Sequence, residues 1–221
     1  MIELPLEVQH YFPYDSVRPR QDQFINTVFN AVRDRRSVLI EGSNGLGKTI
    51  SALSACLPIA VEKGLKILYV ARTHRQHDRV IEELRAVFKK YSVSGISLRG
   101  RHEMCLNTFA SRDNFDAKSL MEACELLKTK GRCPFYKNSD EQTYEYLQLQ
   151  QQIATRPYKA SEIQRICRKK QVCPYELVKA SLSDIEVIAL SYLYIFDPAI
   201  RTAFLRNLNS QLQKIILVVD E

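Results

Sequence analysis

Ser37-Val38-Leu39-Ile40-Glu41-Gly42-Ser43-Asn44-Gly45-Leu46-Gly47-Lys48-Thr49 is the stretch that decides the fold. Its first five residues have the length and β-branched content of a buried strand, a glycine-rich turn follows at once, and Thr49 to Val61 then shows the small apolar face of a helix. Gly42 to Thr49 fits GxxxxGK[ST] at every fixed position, between a predicted strand and a predicted helix as that motif requires. Glycines let the backbone curl, so that N–H groups from Gly42, Ser43, Asn44, Gly45 and Gly47 and the positive end of the helix point at phosphates. Lys48 adds a point charge at the β and γ phosphates, and the Thr49 hydroxyl is placed to ligate Mg²⁺. The stretch therefore predicts ATP with Mg²⁺ as ligand.

Working outward, Phe24, Ile25, Val28 and Phe29 recur at helical spacing behind Pro19, which predicts a helix over 22–31. Downstream, Lys66 to Val70 reads as a strand, Arg75 to Lys90 as a helix through Val80, Ile81, Leu84, Val87 and Phe88, and Val93 to Leu98 as another strand. Strand, helix, strand, helix, strand implies an α/β fold with a parallel sheet. After Leu98 the rhythm stops: Arg99 to Tyr175 is rich in charge and cysteine and shows no convincing strand. It resumes with a strand at Ile185 to Leu190, a helix around 199–208 and a last strand at Ile215 to Val219. Three segments follow: 1–98 and 176–221 as two parts of one sheet domain, and 99–175 as an insertion.

That last strand runs straight into Asp220 and Glu221. Paired with the glycine loop, it looks like a Walker B element: Asp220 holds Mg²⁺ through water, and Glu221 polarises the water that attacks the γ phosphate. Lys48, Asp220 and Glu221 are the expected catalytic residues.

The chain has 221 residues, 45% of them hydrophobic, enough for a sizeable core. No run of about 18 apolar residues suggests a membrane span, and the first ten residues lack the features of a secretory signal. A soluble, cytosolic protein is expected. The net charge of +7 suits a polyanion partner, although a solvated basic surface gives the same balance.

The six cysteines of a reducing compartment read as packing residues or metal ligands before disulfides. Cys105, Cys124, Cys133 and Cys173 are separated by 18, 8 and 39 residues, and two of them open the similar runs Cys133-Pro134-Phe135-Tyr136 and Cys173-Pro174-Tyr175. Structural zinc sites show paired ligands two to four residues apart, and no such pair exists here. Spacing alone leaves zinc, iron–sulfur and packing level. Cys56 lies among Ala52, Leu53 and Ile59 as a buried small hydrophobe, and Cys167 is the one substitute ligand. Lys128, Lys130, Arg132, Phe135, Tyr136 and Lys137 interleave cations with rings, a mix that suits single-stranded DNA or a plain solvated face.

Taken together, these residues resemble the superfamily 2 DNA helicases that carry an iron–sulfur cluster, most closely the xeroderma pigmentosum group D branch in its compact archaeal form. The resemblance covers essentially the whole chain. It rests on Arg18-Pro19-Arg20-Gln21, the Gly42 to Thr49 loop, Ala71-Arg72-Thr73-His74-Arg75-Gln76, the cysteine insertion, and Asp220-Glu221 as the start of a DEAH box. It implies a partial RecA-like motor domain, the first of two, with an inserted, mainly helical iron–sulfur domain. It also implies a 4Fe-4S cluster on Cys105, Cys124, Cys133 and Cys173, and an adenine-reading role for Gln21. Arg72, Thr73 and His74 would grip the DNA backbone, and Arg101 would bond a ligand sulfur or a DNA phosphate. Where the family shows an Asn-Tyr-His-Tyr-like run, this chain has Ser191-Tyr192-Leu193-Tyr194, which leaves Tyr192 as a candidate for stacking on bases but removes the Asn and His.

The function implied is an ATP-dependent 5′ to 3′ DNA helicase of the nucleotide-excision-repair type. Single-stranded and forked DNA would be its partners, in a monomer without a membrane. The cytoplasm of a prokaryote-like cell, or the nucleus of a eukaryotic one, would be its place. A different class fits the same residues: a metal-stabilised nucleic-acid-binding module with a nucleotide switch.

Overall fold

The computed structural model describes residues 4–108, 116–140 and 143–220. Two helices, α1 (Leu6–Tyr11) and α2 (Gln21–Arg33), precede the glycine loop, and α3 (Lys48–Lys63) follows it. Next come β1 (Lys66–Ala71), α4 (His74–Phe88) and β2 (Gly95–Ser97). The cysteine-rich part contributes α5 (Arg101–Met104), α6 (Ala117–Thr129), α7 (Pro134–Lys137), α8 (Tyr144–Ile153), β3 (Pro157–Tyr158), α9 (Ala160–Lys170) and α10 (Pro174–Ser181). The chain then returns through β4 (Val187–Ser191), α11 (Leu193–Phe196), α12 (Pro198–Leu208) and β5 (Ile215–Val219).

All strand pairs are parallel, in the order β3-β2-β4-β1-β5. A parallel sheet buried on both faces needs apolar residues at every position, and β1, Lys-Ile-Leu-Tyr-Val-Ala, supplies them after its first lysine. Alternation then divides the strand between two cores. Ile67, Tyr69 and Ala71 join Val187 and Ala189 against α2, α3 and α4. Leu68 and Val70 join Ile188 and Leu190 against α8, α9, α10 and α12. Helix α3 is buried at every position from Ile50 to Ala60.

Two strand expectations change. Ser37 to Glu41 forms no strand, and Leu39 is fully exposed. Apolar, β-branched residues can line a sheet, but a strand exists only where a neighbour offers a ladder, and none does among the described residues. The cysteine-rich part does contain a strand: β3 pairs Pro157 with Gly95 and Tyr158 with Ile96 at the sheet's edge. Its helices α8, α9 and α10 form one wall of the second core, through Tyr146, Leu149, Ile153, Ile163, Leu177 and Val178. By contrast, α6 buries Leu120 but leaves Met121 and Leu126 about half exposed.

Candidate nucleotide site and cysteine-lined cavity

Gly45 and Gly47 both have φ of +85°, a region that side chains with a Cβ enter only at a cost. At Gly47 there is a second constraint, since a Cβ there would come 2.7 Å from Gln21 Nε2. The chain turns at these glycines and enters α3 at Lys48, whose Nζ reaches back across the loop to donate to Gly42 O at 2.9 Å. No acid lies in the first turn of α3, which leaves its N–H groups and dipole to an anion. Ser43 and Asn44 are exposed on the loop.

Gln21 lies buried beneath this loop. Its Oε1 accepts from Arg18 N at 3.0 Å, and its Nε2 donates to Ser51 Oγ at 3.0 Å, which in turn donates to Gly47 O at 2.9 Å. The Arg18 guanidinium donates to Gly45 O. Gln21 thus braces the glycine turn. Beside it opens a wide cleft lined by Phe12, Tyr14, Val17, Pro19 and Arg20.

At the far end of β5, Asp220 N donates to Val70 O at 2.8 Å, which extends the pairing with β1 and fixes the aspartate. One of its carboxylate oxygens, Oδ2, accepts from the Tyr69 hydroxyl at 3.0 Å. The Thr49 side chain lies close to the same phenol, so the glycine loop and the strand-end aspartate meet at Tyr69. Burial, with the Asp220 charge beside it, pushes the Tyr69 phenol far above its ordinary range. Glu221 lies outside the described residues.

The loop after β1 carries Arg72, Thr73 and His74, all exposed. Thr73 caps α4, its Oγ1 accepting from Gln76 N at 3.3 Å while the Gln76 side chain accepts from Thr73 N at 2.8 Å. A buried pair that the sequence did not disclose holds both ends of this loop. His77 Nε2 lies 3.0 Å from Ala71 O, and Arg99 Nη2 donates to His74 O at 2.9 Å. Arg99 Nη1 meets His77 Nδ1 at 2.9 Å, and Arg99 Nη2 also donates to Asp78 Oδ1. Burial, with the adjacent Arg99 charge, pushes the His77 imidazole below its ordinary range. Tyr192 is half-buried, its hydroxyl donating to Asp220 O and its ring centroid 6.0 Å from that of Phe196.

Cys105, Cys124, Cys133 and Cys173 line one cavity together with Arg101, Leu106, Lys128, Phe135, Tyr136 and Tyr175. Cys133 and Cys173 each stand before a helix that begins with proline, a residue that suits the first helical position. Cys173 N donates to Phe135 O at 3.0 Å, which joins the two Cys-Pro turns. Arg101 Nη1 donates to Cys124 Sγ at 2.9 Å, and its guanidinium stands over the Tyr175 ring at 4.6 Å. Of its two expected partners, sulfur and phosphate, Arg101 has the sulfur. Lys128 donates to Glu176 at 2.6 Å, so its charge is already matched. Lys130, Arg132 and Lys137 are exposed.

Burial raises the Cys105 thiol and pushes Cys173 up to about 11. Cys167 is fully buried in the second core, and Cys56 lies in α3; burial pushes both up to about 12. Among the described residues, no three Cys, His, Asp or Glu residues are gathered so as to hold a single metal ion. No described helix is long and apolar enough to cross a membrane.

A five-stranded parallel sheet with helices on both faces, presenting a glycine loop and a strand-end aspartate that meet at one tyrosine, defines an α/β protein of RecA-like fold. The chain belongs to the DEAD_2 family, whose profile matches residues 69–221. It is 25% identical, over 96% of its length, to the general transcription and DNA repair factor IIH helicase subunit XPD of Dictyostelium discoideum, of which it covers 28%. It is also 25% identical over 97% of its length to the same-named subunit of Arabidopsis thaliana, covering 30% of it. The human regulator of telomere elongation helicase 1 is 27% identical over 77% of the chain and 13% of its own length. A solved structure of an "XPD_Helicase" shares the fold with a TM-score of 0.65 at 22% identity, over 94% of this chain and 33% of that one. The chain thus spans under a third of the length of the curated relatives it matches.

Proposed function

We propose that this chain is the nucleotide-binding part of an ATP-dependent DNA helicase of superfamily 2. The observation that carries the reading is the meeting of Thr49 and Asp220 at Tyr69, which brings the phosphate loop and the strand-end carboxylate into one site. Lys48 lies on the β and γ phosphates, Thr49 and Asp220 would hold Mg²⁺, and Glu221 orients the attacking water. The cleft beside Gln21 receives the base. Arg72, Thr73 and His74 contact the DNA backbone from the end of β1, where parallel sheets present ligand contacts. Tyr192 offers the exposed part of its ring to a base.

The cysteine-lined cavity fits a 4Fe-4S cluster. Four thiols supply its number and softness of ligand, and Arg101, which already donates to Cys124 Sγ, would help to offset its charge. Structural zinc sites show paired ligands two to four residues apart, and Cys105, Cys124, Cys133 and Cys173 contain no such pair. Cys105, Cys124, Cys133 and Cys173 would hold such a group between α5, α6, α7 and the start of α10. By resemblance the motor moves 5′ to 3′, separates strands at the cluster domain and serves excision-type repair.

ATP turnover of the full-length protein is expected to rise at least about tenfold when single-stranded DNA is added. Turnover indifferent to DNA would favour a nucleotide switch and remove the motor reading. DNA affinity should also fall steeply with salt. Neutralising Lys130, Arg132 and Lys137 together should flatten the log–log slope by roughly 0.7 to 1 for each phosphate that no longer meets a cation. A slope unchanged by the triple substitution would return these cations to the solvated face.

A further inference from the structure

Every other side chain of β1 after its first lysine is aliphatic, yet position 69 carries a tyrosine that is 1% exposed. An aliphatic side chain would pack there without a hydroxyl to satisfy, and a buried hydroxyl without partners is costly. This one has a partner: it donates to Asp220 Oδ2 at 3.0 Å, next to the Thr49 side chain. No sequence motif of the site includes it.

We propose that Tyr69 is a positioning residue for the metal-binding side of the nucleotide site, orienting the Asp220 carboxylate through its phenolic hydroxyl. The Tyr69 hydroxyl occupies Oδ2 of Asp220 and would leave Oδ1 for the metal's water. Partners that orient ligands in this way matter to metal affinity nearly as much as the ligands. The inference rests on reading Gly42 to Thr49 as an ATP site.

Tyr69→Phe keeps the ring in its core position and removes only the hydroxyl. In the full-length protein we expect the Mg²⁺ concentration for half-maximal ATP turnover to rise roughly tenfold or more. A second readout does not depend on turnover: thermal melting with ADP alone, and with ADP plus Mg²⁺. The increment due to ADP alone should persist in Tyr69→Phe, while the further increment due to Mg²⁺ shrinks or vanishes. A residue that merely filled the core would lower melting equally under all conditions. A folded Tyr69→Phe with the parental Mg²⁺ midpoint and Mg²⁺ increment overturns the proposal. Lys48→Ala measured in parallel separates the two levels. If it hydrolyses ATP normally, the ATP-site reading itself fails; if it is inactive while Tyr69→Phe behaves as the parent, only the role of Tyr69 fails.

Discussion

Lys48→Ala in the full-length protein is expected to lower ATP turnover by at least about 10²-fold, roughly 3 kcal/mol of transition-state stabilisation. The lysine's charge matters most while γ-phosphate charge is being redistributed, which no neighbouring backbone N–H can match. The fold should be unharmed. Lys48 is half-buried at the first position of α3, and the bond it loses, to Gly42 O, is worth about 1 kcal/mol. The helix is held by its buried run from Ile50 to Ala60, and alanine is a strong helix former. Single-stranded DNA binding should therefore remain, as a filter or anisotropy assay would register. A variant hydrolysing ATP near the parental rate would remove the phosphate-loop assignment.

Cys105→Ser is expected to abolish unwinding while sparing the sheet. The variant should lose the brown colour and visible absorption of its iron. Structural change should be local. The described residues from Cys105 through α7 bury little apolar surface beyond Leu120, and fixing backbone costs about 1 to 2 kcal/mol per residue, so ligation has to contribute. The helices α8, α9 and α10 lie in the second core and do not need it. New protease cuts should thus fall between Cys105 and Asp140, with α8 to α10 protected and ATP turnover reduced less than strand separation. Cys56→Ser, altering a thiol within α3, should keep its iron. Purified protein with stoichiometric zinc and no iron would rule out the cluster, and a Cys105→Ser variant that still unwinds duplex would rule out its role at the fork.

The elements legible in the sequence were those with a period or a punctuating residue. Helices α2, α3 and α4 and strands β1, β4 and β5 occur within a few residues of their expected places, because burial on one side or both writes a repeat into the chain. The misses have a common cause: partners far away in sequence. Ser37 to Glu41 has strand composition but no ladder, and β3 is two residues long with a proline, recognisable only by its register against Gly95 and Ile96. At the site, the glycine loop could be read at once, since eight consecutive residues carry it. Tyr69 could not, because its partner Asp220 stands 151 positions away. Arg99 and His77, 22 positions apart, likewise look like a surface cation and a helix residue until the fold joins them. The four cysteines could be chosen by resemblance, and their shared cavity emerges only when α5, α6, α7 and α10 meet.

The sheet order has a consequence for how the protein is made. β1 lies between β4 and β5, both of which leave the ribosome only after the entire cysteine-rich part has been synthesised. At about 5–20 residues per second, the apolar Ile67 to Ala71 run waits roughly 6 to 30 seconds for its neighbours. Closing so long a loop adds little to the equilibrium cost, which grows only with the logarithm of length. It adds much to the time, because pairings distant in sequence form slowly. The nascent chain must therefore carry an unpaired, aggregation-prone strand through the whole interval in which its cysteine-rich part emerges.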